Sequence, residues 1–209
     1  MMRFATITAL LVLCSSSVVL ASAPQRVVSL DYCADQFVLK LLPRERILAV
    51  SPDAHRDFSY MRESVGGLPQ VRPIAENVLT LQPDLIIRSY GGGPRAVSFF
   101  ERAGIPVLQV PFANNLDDIR AMILLLAEGL GVADRGRAVV ADMDRRLAAI
   151  ELGPGARSAL YMTPTGVTSG PGTLIHEMLL AAGLENFEER AGWHSLPLER
   201  LAYDQPDLV

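Results

Sequence analysis

From residue 26 to residue 110 the chain alternates between short β-branched apolar runs and segments of helical spacing. Strands are predicted at 26–30 (RVVSL), 46–51 (RILAVS), 84–88 (DLIIR) and 105–110 (IPVLQV). Helical segments are predicted at 34–42 (ADQFVLKLL), 75–82 (AENVLTLQ) and 95–104 (RAVSFFERAG). Each helical segment ends where the backbone chemistry changes, at Pro43, Pro83 and Gly104. Four-to-six-residue apolar runs fit strands covered on both faces. Strands joined through helices cannot pair as hairpins, so the sheet is expected to be parallel, with helices on both sides.

The alternation stops after Phe112. No strand pattern occurs from Leu116 to Leu152. The stretch LDDIRAMILLLAEGLG reads as an amphipathic helix, with Asp117 and Asp118 in its first turn, where carboxylates favour the positive helix end. After Gly131, residues 133–152 read as a second helix of twenty residues, roughly 30 Å long at about 1.5 Å per residue. A rod of that length in mid-chain is expected to bridge two globular parts. The alternation resumes with a strand at 157–162, a loop at 163–172, a helix at 173–183 capped by Thr173, a loop carrying Trp193 and His194, a helix at 196–205, and a strand opening at 206–209. The expected organisation is an α/β lobe over 24–115, a helical region over 116–152 and the beginning of a second α/β lobe over 153–209, incomplete at Val209.

One motif occurs twice. Gln-Pro-Asp-Leu stands at 82–85 and again at 205–208, and a glutamate precedes each copy in the same register, Glu76 and Glu199. Proline ends a helix, because the residue before it avoids the α region. Aspartate and leucine then begin a strand. Two such corners with acids in register argue for two lobes of related design.

Composition narrows the classes of function. The chain is 50% hydrophobic and 20% charged with a formal net charge of −4, and its only lysine is Lys40. That balance gives no electrostatic basis for nucleic-acid binding. Residues 1–23 read as an export signal: Arg3, an apolar FATITALLVL core too short to span a bilayer, and small residues with cleavage favoured after Ala21. Lipid attachment at Cys14 is the lesser reading, because Leu13 is a poor predecessor. Cys33 is then the only cysteine of the mature chain, without an intrachain partner.

Catalytic and metal signatures are missing from the sequence. HEMLL at 176–180 has Leu180 where a second zinc-binding histidine would stand, and Gly91–Gly93 lacks a dinucleotide fingerprint. No protein-held metal or cofactor is expected. In an open α/β sheet, ligands bind beyond the carboxyl ends of the strands. The loops there carry Asp31 and Tyr32, Asp53, His55 and Arg56, Arg88, Ser89 and Tyr90, Phe112 and Asn114, and Thr163, Thr165 and Ser169. Trp193 and His194 lie on a later loop. Aromatics mixed with arginine suit a large, partly planar ligand. The ligand-binding candidates are Tyr32, His55, Arg88, Tyr90, Trp193 and His194, whereas Phe112 and Tyr161 are expected to pack on the core.

The leader, RVVSL running into a ligand loop, the E…L…LQPDLII element, the mid-chain rod, TSGPGTLIHEMLLAAGLEN and LPLERLAYDQPDLV together resemble the periplasmic substrate-binding proteins of ABC importers for metal chelates: ferric siderophores, cobalamin and haem. The resemblance spans residues 26–209. It implies two Rossmann-like α/β lobes bridged by one long helix, a class III periplasmic binding protein, with ligand held between the lobes. It implies a monomeric receptor in the periplasm, without enzymatic activity. It also implies an inner-membrane permease dimer as partner, docked through Glu76 and Glu199, and cleft aromatics at Tyr90 and Trp193. LDYCADQ departs from the family by placing Tyr32 and Cys33 where small residues are common. The alternatives are a bare-metal-ion receptor of the same fold and an exported α/β enzyme.

Overall fold

A computed structural model describes residues 22–151, 155 and 157–209. The leader assigned to 1–23 falls almost entirely outside the described residues. The alternating region forms a four-stranded parallel sheet in the order β2-β1-β3-β4, from β1 (Val27–Ser29), β2 (Ile47–Ala49), β3 (Leu85–Arg88) and β4 (Val107–Gln109). Its crossovers run through α1 (Tyr32–Leu41), α2 (Ala75–Leu79) and α3 (Ala96–Arg102).

Strand side chains alternate between two buried layers. Val27, Leu85 and Ile87 pack with Val38 and Leu41 of α1 and with Met122 and Leu126. Val28 and Ile86 pack on the other face with Val78 of α2 and Phe100 of α3. Burial of both faces is why these strands read as unbroken apolar runs. Gln82, expected to close a helix, instead takes a φ of 50°. Pro83 disfavours the α conformation at the residue before it, so the helical path cannot run through Gln82, and α2 itself spans only Ala75–Leu79.

The region from Leu116 onward forms a helical hairpin, α4 (Leu116–Gly129) followed by α5 (Ala133–Ala148). Asn115 caps α4 by accepting from the Asp118 amide at 2.7 Å. The two helices approach closely. A Cβ on Gly136 would lie 2.3 Å from that of Ala127, and Arg120 of α4 reaches Asp144 of α5 at 2.7 Å. The expected twenty-residue rod is therefore a sixteen-residue helix, about 24 Å long, packed along its neighbour. It ends at Ala148, and residues 148–151 are all exposed.

In the last third, β5 (Arg157–Ala159) pairs in parallel with β7 (Leu184–Asn186), joined through α6 (Leu174–Ala181). Thr173 caps α6 as expected, accepting from the His176 amide. Leu208 adds a parallel bridge on the other side of β5. Two segments expected as loops pair instead as an antiparallel ribbon, β6 (Val167–Ser169) with β8 (Trp193–Ser195). The helix expected at 196–205 is a short 3-10 turn, Leu198–Ala202.

The repeated corner has one structural role in both places. Asp84 accepts from the amides of Gln25 and Arg26 at 2.7 and 2.9 Å. Asp207 accepts from the Ser158 amide at 2.8 Å and from its hydroxyl at 3.1 Å. Each carboxylate thus satisfies amide donors at the entry of the parallel strand next to its own. No helix of the described residues is long and apolar enough to cross a membrane.

Candidate functional site

The strand order reverses direction between β1 and β3, which places the ligand crevice of such a sheet beyond their carboxyl ends. The loops leaving these two strands are tied together by Asp31. One carboxylate oxygen caps α1 through the Ala34 amide at 3.0 Å. The other accepts from the amides of Ser89, Tyr90 and Gly91 at 2.7, 3.0 and 2.8 Å. Arg88 and Gln109 hold the same loop through its carbonyls. Arg88 donates to Gly91 and Gly93 at 2.7 and 3.2 Å, and Gln109 to Ser89 at 2.6 Å. Gly91 is required by contact, since a Cβ there would sit 2.3 Å from the Leu30 carbonyl oxygen.

This frame presents an aromatic wall. Tyr32, at the start of α1, meets Phe58 edge-on at 5.0 Å between centroids and Tyr90 at 6.2 Å. Phe58 and Tyr90 are more than half exposed. Gln36 pins the long loop that carries Phe58, donating to Ser59 Oγ at 3.0 Å and accepting from the Met61 amide at 2.9 Å. Both phenols stay protonated at neutral pH. Cys33 above all, with burial and nearby acids, raises that of Tyr32, while burial and Asp31 push that of Tyr90 up to about 12. Burial also raises the Cys33 thiol, which remains a neutral, half-buried group.

The remaining candidates separate. His55 is exposed on the long loop, beside Arg56, whose nearest acid is Asp53 at 3.7 Å. Arg88 is buried and its guanidinium is committed to the glycine loop, so it shapes the wall from behind. Trp193 is half exposed and stacks edge-on against Tyr161 at 5.9 Å, a second aromatic face on the β6–β8 ribbon. The side chain of His194 turns inward. Its Nε2 lies 3.4 Å from Glu188 Oε2, and neither ring nitrogen completes a hydrogen bond. Glu188 is buried, accepts from the Arg190 amide at 2.9 Å and pairs with Arg200 at 3.1 Å. Burial opposes its ionisation, but these donors outweigh burial and hold the carboxyl below its usual range. Phe112, expected in the core, is 80% exposed, because it follows Pro111 off the edge strand β4, where no layer covers it.

Phe58, Gln36 and Tyr161 were not among the sequence candidates for ligand contact. The only sequence signal for Phe58 is an aromatic residue within a polar loop. Among the described residues, no three His, Cys, Asp or Glu side chains are grouped to hold a metal ion. Glu76 stands in the first turn of α2 and Glu199 in the first turn of the 3-10 segment. Both are exposed, and neither makes an ion pair among the described residues.

Comparison with known proteins places this geometry. The model of the family described as periplasmic binding protein matches residues 27–209. A cobalamin-binding protein of Halobacterium salinarum is 28% identical over 205 residues, covering 93% of this chain and 56% of the relative. A vitamin B12-binding protein of Pectobacterium atrosepticum is 24% identical over 213 residues, covering 95% of this chain and 74% of the relative. The crystal structure of a periplasmic haem-binding protein from Pseudomonas aeruginosa superposes with a TM-score of 0.69 at 26% identity, covering 88% of this chain and 70% of that one. The chain thus spans little more than half the length of the Halobacterium relative.

Proposed function

The chain belongs to the periplasmic binding protein family, and from that membership we propose that it captures a metal-chelate ligand of the cobalamin, haem or ferric-siderophore type and delivers it to an ABC importer. The observation that carries the reading is the aromatic wall of Tyr32, Phe58 and Tyr90 at the β1–β3 switch point. Asp31 and Arg88 fix the segments that carry Tyr32 and Tyr90, Gln36 fixes the loop that carries Phe58, and the three rings offer rigid, largely apolar contact area for a planar ligand. Trp193 and Tyr161 supply a second face of the same kind. The similarity to cobalamin- and haem-binding proteins supports the same ligand class. In this reading the receptor works in the periplasm, binds without chemical conversion as a monomer, and presents Glu76 and Glu199 to a permease dimer.

Trp193 is the only tryptophan, so its fluorescence reports ligand at the second face. Titration with cyanocobalamin, haemin, a ferric hydroxamate and zinc chloride tests the proposal. Quenching by one of the first three is expected, weakened about tenfold by Tyr90→Ala, which corresponds to ~1.4 kcal/mol. A response to zinc alone would establish the bare-metal reading instead. No response to any chelate would refute the proposal.

A further inference from the structure

Asp35 is a buried acid with no direct part in the aromatic wall. It lies on α1 one helical turn beyond Tyr32, is fully buried, and makes no ion pair among the described residues. Its Oδ1 accepts from the Ser51 amide at 3.1 Å and its Oδ2 from the Ser51 hydroxyl at 2.6 Å. Ser51 opens the long loop. Its hydroxyl oxygen accepts in turn from the Asp53 amide at 3.2 Å. A run of overlapping turns follows, in which the amides of Ala54, Arg56, Ser59 and Arg62 donate to the carbonyls of Ser51, Asp53, Arg56 and Ser59. The position of Ser51 is thus carried turn by turn to Phe58, whose ring meets Tyr32 on the same helix as Asp35.

A proton on this carboxyl breaks the hold whichever oxygen takes it. On Oδ1 it sets an O–H against the Ser51 N–H, donor against donor. On Oδ2 it points at Ser51 Oγ, which then receives two donors while its own hydrogen has no acceptor. We propose that Asp35 is a positioning residue for ligand capture: ionised, it seats Phe58 against Tyr32 through Ser51, and its protonation loosens that seat, so that the site weakens toward acid. The inference rests on the transport reading above and adds its regulation. The groups facing Asp35 are Asp31 and Cys33 of its own segment and the hydroxyls of Ser29 after β1 and Ser51 after β2. From α4, apolar Met122 and Leu126 pack on α1, and on the loop the Asp53 carboxylate is half exposed and 3.7 Å from Arg56. Burial, with Asp31 adding to it, raises the Asp35 carboxyl above its ordinary range, against the pull of the Ser29 and Ser51 hydrogen bonds.

A raised folded-state pKa means that the folded chain takes up the proton more readily than the unfolded one, so this group's contribution to stability grows as pH falls through the folded value. Affinity and the stability owed to Asp35 therefore move in opposite directions, which a merely structural role does not produce. The test repeats the Trp193 titration with cyanocobalamin, haemin and the ferric hydroxamate between about pH 8 and about pH 4.5. Asp35→Asn, which keeps the shape and stays neutral, should bind the responding chelate about three- to tenfold more weakly than wild type at neutral pH, the worth of one net hydrogen bond. The gap should close at the acid end, as wild type falls to the variant. The urea midpoint of Asp35→Asn at neutral pH should not lie below that of wild type, and hydrogen exchange should quicken over residues 51–61 while the sheet is unchanged. Ser51→Ala, which leaves the carboxylate in place, should also weaken binding and quicken exchange in the same loop. A constant affinity gap at all pH values, or loop exchange like that of wild type, would overturn the inference and leave the transport reading standing. A lowered urea midpoint with faster exchange throughout the sheet would assign Asp35 to the fold alone and equally overturn it. Should Asp35→Asn fail to fold, a Ser51→Ala protein with wild-type affinity and loop exchange decides against the proposal. No response to any chelate at any pH would overturn both readings.

Discussion

Replacing Asp31 with asparagine tests the frame on which the aromatic wall stands. The side chain is 3% exposed and accepts four backbone amides, three of them from the Ser89–Gly91 loop. Asparagine keeps one acceptor oxygen and introduces an NH2 group. If that oxygen faces the loop, the NH2 confronts the Ala34 amide. The helix cap is then lost at about 1 kcal/mol, and three charge-assisted hydrogen bonds become neutral ones at roughly half their strength, a further ~2–3 kcal/mol. If the oxygen faces Ala34, the cap survives and three loop amides lose their acceptor, at about 1 kcal/mol or more each for the buried share. Both orientations converge on about 3–4 kcal/mol, or a melting-temperature drop of roughly 6–15 °C for a chain of this size.

Urea unfolding followed by far-UV circular dichroism measures the loss, with the half-exposed Asp53→Asn as a control expected within about 0.5 kcal/mol of wild type. Ligand affinity should fall as well, because Tyr90 loses the anchor of its own amide. An Asp31→Asn protein within about 1 kcal/mol of wild type would refute the claim that this carboxylate organises the site.

Asp84→Ala and Asp207→Ala should each destabilise by about 1–2 kcal/mol in urea unfolding, since each leaves strand-entry donors without their acceptor; a neutral result at either would dissolve the structural equivalence of the corners. Glu188→Gln should lose about 1–3 kcal/mol at neutral pH by weakening the buried contacts to Arg200 and His194. Because the folded-state pKa of Glu188 is depressed, its contribution is present above the ordinary carboxylate range and lost as pH falls through the folded value. Acid unfolding read by Trp193 fluorescence should therefore separate wild type from Glu188→Gln above that range and bring them together at the acid end; a constant gap at all pH values would contradict the assignment.

The strands of the first sheet were legible because burial of both faces leaves a continuous apolar run, as at Val27–Val28 and Ile86–Ile87. The β6–β8 ribbon was not. Each strand has three residues and glycines close by, Gly166 and Gly170 for one and Gly192 for the other, so neither is long enough to show alternation. The glycines have their own reason: a Cβ on Gly170 would lie 1.9 Å from the Arg190 carbonyl oxygen, a contact created only when the ribbon forms. Asp31 was visible as a loop acid, but its work depends on β3 lying beside β1, which brings Ser89–Gly91 to a residue 58–60 positions away. Arg88 was read as a ligand group from its type and its place at a strand end, and its burial against the glycine loop gives it a structural task instead. The repeated corner shows the same division within one motif. Its aspartates are occupied inside the fold, capping neighbouring strands, so their recurrence follows from folding alone. The glutamates have no such partner among the described residues and stand exposed. Each stands in the first turn of a short helical segment, where a carboxylate favours the positive helix end, so helix electrostatics gives their register a weak reason that leaves both carboxylates facing solvent.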